Sequence, residues 1–295
     1  MKKIVISSSV LKALFVHGNE REDICWRKFH AKYITKEVKF APSEVQLYGL
    51  YFESQALGSS AGGETYDDLP RKNNGDKRSI QVRLDEQLVN LRAGQVENYI
   101  NIVPGINTQV SIYKRWLDSK DIFLRATYDI FPTTMLYKNQ ILPVVSVDLK
   151  TTKDVEGDWG EYCWGTPENM DHTQLVMQNF MVKDFDVELN RKANPLLFEK
   201  GIIKDEVIHH FDDLPVFYWI FETGLKKRNK ILKVSVDNTR TAELQEVIRK
   251  AISIIMDNET IHGWEPLPKY ENCKNCPLSY KVGGTCKEVE DIKEV

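Results

Sequence analysis

The chain has 295 residues, of which 42% are hydrophobic and 28% are charged, a composition typical of a globular protein with a substantial core. Its formal net charge of −3 does not favour a dedicated, strongly basic nucleic-acid binder, although an enzyme needs only a local basic groove. No apolar run approaches the roughly 18 residues of a membrane span. The N-terminal apolar stretch is broken, so we expect no signal peptide and a cytoplasmic location.

The N-terminal part of the chain alternates short β-like and helical patterns. Residues 2–6 are β-like, and Ser7-Ser8-Ser9 offers an N-cap to a following helix. The next helical pattern carries Glu53 and is expected to end near Gly58. Apolar residues at helical spacing then predict an amphipathic helix over about 78–100. Glu53 is a candidate third metal-binding carboxylate, although a lone helical glutamate is ordinarily a surface residue.

Aromatic and basic residues alternate over residues 24–33. This segment is either a helix end that meets a DNA backbone or an amphipathic helix with a solvated face. From the residues alone we favour the second interpretation.

Two β-rich runs flank a polar turn at 137–140 and predict an antiparallel hairpin over 124–150. The first run carries Asp129. Asp148 and Lys150 of the second run share one face, because alternate side chains of a strand point the same way. Two carboxylates and an ammonium at one place can hold a divalent cation and a polarised water, as metal-assisted phosphodiester hydrolysis requires. An acid-x-Lys triplet alone is weak evidence, since charged residues at strand ends are usually solvated.

The C-terminal part of the chain is predicted to contain two helices, at 171–182 and 241–256, and a second hairpin, at 215–222 and 230–237. Gln174 and Gln178 lie one turn apart on the first helix. The hairpin tip carries Lys226, Lys227 and Arg228, which either contact phosphates or are simply solvated.

Four of the five cysteines lie near the ends of the chain: Cys25, Cys273, Cys276 and Cys286. In a reducing compartment they argue against disulfides and suggest a metal clasp between the two ends. Four thiolates suit either a [4Fe–4S] cluster or structural zinc. Cys163 has no partner in this scheme.

Six features follow one another in an order that resembles the PD-(D/E)XK nuclease superfamily. The closest resemblance is to RecB-type exonucleases with an iron–sulfur cluster: the AddB nuclease domain, CRISPR-adaptation nucleases and phage relatives. The features are Ser7-x-Ser9 with Cys25, Gly49-x-x-Phe52-Glu53, Asp129, Asp148-Leu149-Lys150-Thr151, Gln174 and the C-terminal cysteines. The resemblance implies one α/β domain over 1–295, with a central mixed sheet of four or five strands flanked by helices. Segments 20–35 and 270–290 would form the cysteine module, which the family favours as [4Fe–4S] over zinc.

The resemblance also implies a role for each matching residue. Asp129 and Asp148 would bind Mg²⁺ or Mn²⁺, with the Leu149 carbonyl as a further ligand. Lys150 would orient the attacking water and stabilise charge on the phosphate.

The expected core residues are Val144, Val145, Val147, Phe123, Ile130, Leu175 and Val176.

Glu53 would help to place the metal or the substrate, and Gln174 would hold the active site and the DNA strand. Three departures from the family pattern stand beside these roles. Phe52 replaces a frequent histidine, which weakens a preference for manganese, and Gln178 replaces a tyrosine. The spacing Cys-x₂-Cys-x₉-Cys is longer than that of the group.

The expected function is a Mg²⁺- or Mn²⁺-dependent DNA exonuclease in recombination, repair or phage DNA processing, in a bacterial or phage-infected cell. The sequence has no phosphate-binding GxxxxGK[ST] loop, so unwinding would need a helicase partner; an annealing or integrase partner and a homo-oligomer are further expectations. One alternative is an end-trimming nuclease of CRISPR-adaptation type. Another is a catalytically inactive DNA-binding or assembly subunit.

Overall fold

A computed structural model describes residues 3–16, 18–60, 63–70, 79–117, 119–156, 172–204, 214–267, 276–278 and 286. Cys163 and Cys273 lie outside these residues. Within the described ranges, no helix has both the length and the apolar character that a membrane crossing requires.

Within the part of the chain that the structure describes, six strands form the main sheet, one or two more than the sequence predicts. Its strands are β1 (Ile4–Ser7), β4 (Thr108–Arg115), β5 (Ile122–Ile130), β8 (Ser146–Thr152), β9 (Val216–Glu222) and β10 (Asn229–Val234). The short strands β2 (Phe15–Val16) and β3 (Asn19–Glu20) pair with each other in a separate sheet. The order is β1-β5-β8-β9-β10, and β4 also pairs with β5. The β1–β5 and β8–β9 pairs are parallel, whereas the β4–β5, β5–β8 and β9–β10 pairs are antiparallel. The predicted mixed α/β architecture is therefore confirmed.

β1 and β8 share one edge of β5, because β4 occupies the other edge. β1 pairs with the first part of β5, from Ile122 to Arg125, and β8 pairs at Ile130. The chain leaves the sheet after β1 at Ser7, which N-caps α1 (Ser8–Leu14). This arrangement brings the end of β1, the start of α1 and the charged part of β8 to the same side of β5.

The central hairpin differs from the prediction. Its tip is at Lys138 and Asn139, inside the predicted turn, and both residues have positive φ. The tip joins β6 (Thr133–Tyr137) to β7 (Gln140–Val144), which form a separate two-stranded sheet. Each of the two β-rich segments predicted for the hairpin therefore forms two strands instead of one. Asp129 lies on β5, and Asp148 and Lys150 lie on β8.

Helices cover both faces of the sheet, since β9 is buried on both sides. Tyr218 and Ile220 of β9 pack in one core cluster and Phe217 and Trp219 in another, as alternation along a strand requires. The helices are α1, α2 (Trp26–Phe29), α3 (Glu44–Leu57), α4 (Ser79–Glu97), α5 (Thr173–Val182), α6 (Val187–Ala193), α7 (Pro195–Glu199) and α8 (Asn238–Asp257). Residues of α3 and α4 belong to the second cluster, and those of α1, α5 and α8 to the first.

Local signals set the ends of α3. Ser43 and Gln46 form a capping box at its start, and Gly58 ends it in the left-handed conformation with φ of 88°. The predicted end near Gly58 is therefore confirmed. The core also contains most of the residues expected in it, but Phe123 is half-buried and the adjacent Leu124 is buried instead.

Candidate active site

Asp129 of β5 and Asp148 of β8 lie beside each other in neighbouring strands. The pairing of Ile130 with Val147 sets these two carboxylates opposite one another. Asp129 is 6% exposed and Asp148 is fully buried. Buried carboxylates need hydrogen-bond donors or cations, so their partners define the site.

Asp148 has a partner on each carboxylate oxygen. Its Oδ2 forms a close ion pair with the Lys150 amine, whose side chain is 24% exposed. Its Oδ1 accepts hydrogen bonds from Nε2 of Gln174 at 2.7 Å and of Gln178 at 3.3 Å. The two glutamines reach the same oxygen because they lie one turn apart on α5.

Gln178 also ties α5 to the two strands. Its Nε2 donates to the Thr127 carbonyl at 2.9 Å, and its Oε1 accepts from the Ser146 hydroxyl at 2.8 Å. The Tyr128 hydroxyl donates to the Gln178 carbonyl at 2.7 Å. This fully buried glutamine is a site residue that the sequence did not predict, although the sequence places it one turn from Gln174.

Asp129 is held by two donors. Its Oδ2 accepts from the Leu149 backbone N–H at 2.7 Å, and its Oδ1 accepts from Gln109 Nε2 at 3.1 Å. Gln109 has a φ of 53°, a left-handed conformation that is unfavourable for a residue other than glycine and that concentrates at functional sites. Gln109 was not predicted as a site residue, because a single glutamine at a strand start gives no sequence signal.

Carboxyl groups outnumber ammonium groups among the side chains described at this site. Burial raises the pKa of Asp129 well above its usual value, and the neighbouring Asp148 and Glu53 carboxylates raise it further, while Lys150 opposes them. Burial lowers the pKa of Lys150, but the Asp148 and Asp129 carboxylates outweigh that effect and leave its pKa above the ordinary value. The lysine is therefore charged, and a single ammonium faces the carboxylates of Asp129, Asp148 and Glu53.

This donor set fits a hard divalent cation. Mg²⁺ typically binds through one or two carboxylates and keeps several waters, so Asp129 and Asp148 suffice. A cation there would offset the repulsion from Asp148 and Glu53 that raises the pKa of Asp129. The Leu149 carbonyl lies 3.4 Å from the Lys150 amine, on the same part of β8. Among the described residues, no three His, Cys, Asp or Glu side chains form a metal-binding group, so Glu53 as a third ligand stays a prediction.

The predicted basic hairpin tip is compensated by acidic neighbours. Lys227 pairs with Glu86 at 2.8 Å. Arg228 pairs with Glu222 at 2.6 Å and with Asp154 at 2.7 Å. The hairpin is confirmed, while phosphate contacts by its tip stay a prediction.

The two ends of the chain lie against each other. The Cys25 thiol accepts from the Leu267 N–H at 3.5 Å, and Cys276 packs in a small cluster with Ala31. The Cys286 N–H donates to the Leu278 carbonyl at 2.7 Å. The three described cysteines do not form a metal-binding group, so the four-thiolate clasp stays a prediction.

No protein-family model and no curated protein matches this chain. One solved structure that resembles it is the crystal structure of a putative exonuclease from Eubacterium rectale. That structure has a TM-score of 0.49 and 14% sequence identity, and the match covers 99% of this chain and 89% of the other. A likeness at this level carries no argument about activity.

Proposed function

We propose that the protein is a divalent-metal-dependent deoxyribonuclease of the PD-(D/E)XK type. It would act as an exonuclease on DNA ends or single strands in recombination, repair or phage DNA processing. The observation that carries the proposal is the meeting of Asp129, Asp148 and Lys150 where β5 and β8 pair. A fully buried aspartate paired with a partly exposed lysine is suited to a hydrolytic site that must keep its charges in place.

Each side chain has a part in this chemistry. Asp129 and Asp148 would hold Mg²⁺ or Mn²⁺, with the Leu149 carbonyl beside them. The bound ion would polarise the scissile phosphate and lower the pKa of a water. Lys150 would orient that water and stabilise negative charge on the phosphate as it develops. The raised pKa of Lys150 keeps the amine protonated, which suits electrostatic stabilisation and not a role as general base.

The supporting residues keep these groups in place. Gln174 and Gln178 fix one oxygen of Asp148, so the other oxygen stays directed at Lys150. Gln109 and the Leu149 N–H fix the Asp129 carboxylate. Because these hydrogen bonds already hold the two carboxylates in position, the site needs little reorganisation when the substrate binds.

We also propose that Cys25, Cys273, Cys276 and Cys286 hold a structural [4Fe–4S] cluster, with zinc as the alternative. The thiolate spacing and the contact between the chain ends support this proposal. Iron and zinc analysis of protein purified without oxygen tests it. Iron at about four atoms per chain, as the cluster formula requires, with visible absorbance supports the cluster, one zinc per chain supports zinc, and neither metal overturns the clasp.

The activity test uses end-labelled linear DNA and covalently closed circular DNA, with Mg²⁺, Mn²⁺ or EDTA. Lys150→Ala is the site variant, and Lys250→Ala, an exposed lysine on α8, is the matched control. We expect metal-dependent loss of linear but not circular DNA in the wild type and control, and none in Lys150→Ala. Cutting of circles would indicate an endonuclease. If a folded, metal-supplied preparation degrades neither substrate, the catalytic proposal is wrong.

A further inference from the structure

A cleft of about 570 Å³ lies between α1, α2 and α3. Four basic side chains line it, Lys12, Arg21, Lys28 and Lys32, with Asp23 as the acidic residue among them. The cleft therefore carries a formal charge of +3 in a protein whose overall charge is −3. A concave surface of one sign concentrates its field and attracts a ligand of opposite charge.

Two of these cations are held by an aromatic ring instead of by carboxylates. The amines of Lys28 and Lys32 lie 5.4 and 5.6 Å from the centre of the Phe40 ring, which fits cation–π contacts. Lys28 belongs to α2, and Lys32 to the π-helical turn His30–Ile34 that continues it. Among the described residues, no carboxylate lies within ion-pair distance of either amine. Lys28 and Lys32 differ in this respect from Lys227 and Arg228, which are paired with described carboxylates.

Helix α3 connects this cleft to the candidate active site. Gln46 lines the cleft, and a side-chain carbon at Gly49 would lie 3.7 Å from the Thr151 hydroxyl. Glu53 raises the pKa of Asp129. These positions are three and four residues apart and so share one face of the helix. Seven residues of helix span roughly 10 Å, so an anionic chain in the cleft would lie within a short reach of the carboxylates.

We propose that this cleft binds the phosphate backbone of a single nucleic-acid strand and leads it to the site on β8. The inference rests on the proposed nuclease function, which it deepens by naming how the substrate is held. Repeated cations suit the regular charge of a phosphate backbone. The Lys32 amine also lies 5.1 Å from the centre of the Tyr33 ring, which lines the same cleft. The sequence alone favours a solvated amphipathic helix for residues 24–33. The proposal instead gives this segment a role in contacting DNA.

The first test is equilibrium binding in EDTA, where no cleavage occurs. A labelled single-stranded oligonucleotide is titrated with the full-length wild type, with Lys28→Gln/Lys32→Gln, and with Lys200→Gln/Lys250→Gln, two exposed lysines, as the matched control. Each lost phosphate contact lowers the salt slope of single-strand binding by about 0.7, so we expect the cleft variant to lose about 1.4. For proteins that bind equally at 1 M salt, this slope difference corresponds at 0.1 M salt to a roughly 25-fold weaker affinity. The control variant is expected to bind as the wild type does.

Two further variants and a melting curve keep this test falsifiable. Thermal unfolding shows whether the cleft variant is folded, and Lys28→Arg/Lys32→Arg, which keeps the charge, is expected to restore affinity. An unchanged salt slope in a folded Lys28→Gln/Lys32→Gln protein overturns the inference. So does a salt slope that falls by the same amount in the control variant Lys200→Gln/Lys250→Gln.

Activity measurements separate this inference from the proposed function. On bis(p-nitrophenyl) phosphate, a diester too short to reach the cleft, the cleft variant is expected to match the wild type, while its KM for DNA rises. Normal DNA hydrolysis with an unchanged KM in the variant would refute the cleft and leave the nuclease standing. Strand binding that depends on Lys28 and Lys32, but with no hydrolysis in Mg²⁺, would refute the nuclease and leave the cleft.

Discussion

The pairing of Asp148 with Lys150 gives a stability prediction that requires no substrate. Lys150→Met keeps most of the aliphatic length and removes the charge that faces a fully buried carboxylate. Removing one partner of a buried ion pair costs about 3–5 kcal/mol. We expect a value near the lower end, about 3 kcal/mol, because Gln174 and Gln178 still donate to Asp148.

The double variant Asp148→Asn/Lys150→Met removes both charges. Replacing a whole buried pair by neutral groups is often close to neutral, so this variant should lose only about 1 kcal/mol. Asp148→Asn alone should also lose about 1 kcal/mol, since the Lys150 side chain is 24% exposed and its amine can turn to water. The coupling between the two positions is therefore expected to be about 3 kcal/mol, well above what additive sites show.

The assay is urea unfolding followed by circular dichroism in EDTA, with all four proteins in one buffer. The slope against urea must stay constant for the comparison to hold. A coupling energy below about 0.5 kcal/mol would mean that the buried charges do not depend on each other, and would refute the electrostatic account of the site.

Three further predictions follow from contacts of the same kind. Gln174→Leu loses a single hydrogen bond and about 1 kcal/mol of stability, but nuclease activity should fall by more than that stability loss explains; equal activity would remove Gln174 from the site. Gly94→Ala should destabilise by about 1–3 kcal/mol in urea unfolding, because the added carbon would lie 2.7 Å from the buried Trp219 ring; a gain, as helix propensity alone predicts, would contradict the packing. Mg²⁺ should raise the melting temperature of the wild type but not of Asp129→Asn, and an equal rise in both would exclude Asp129 as a ligand.

Hydrophobic periodicity and capping signals predicted most of the helices and the second hairpin. Gly58 marked the end of α3, and Ser7 the start of α1, because backbone conformation and capping are local properties. The break of the central hairpin into β5 to β8 was not predictable in the same way. Phe131, between β5 and β6, is fully buried. The apolar pattern of the sequence therefore continues across the position where the chain passes from the main sheet to the two-stranded sheet.

The site was predicted in part for a similar reason. Asp148 and Lys150 share a face by simple alternation, and the hairpin implied that Asp129 is close. Gln109 and Gln178 were missed because their importance depends on tertiary contacts: one opposes Asp129 from β4, and the other bridges three backbone and side-chain groups from α5. A glutamine carries no site signal by itself, so the pairing of β4 with β5 identifies Gln109 and the packing of α5 on the sheet identifies Gln178.

The free-energy cost of burying the charged side chains of this site argues against a catalytically inactive subunit. A fold selected for stability alone gains little from a buried ion pair, since well-packed apolar residues of similar volume serve as well or better. Here Asp148 is fully buried and Asp129 nearly so, beside a glutamine in an unfavourable backbone conformation. A binding surface does not require charges so far from solvent, whereas a hydrolytic site requires fixed, desolvated carboxylates. The proposed hydrolytic activity would give a physical reason for these buried charges, which an inactive subunit would not.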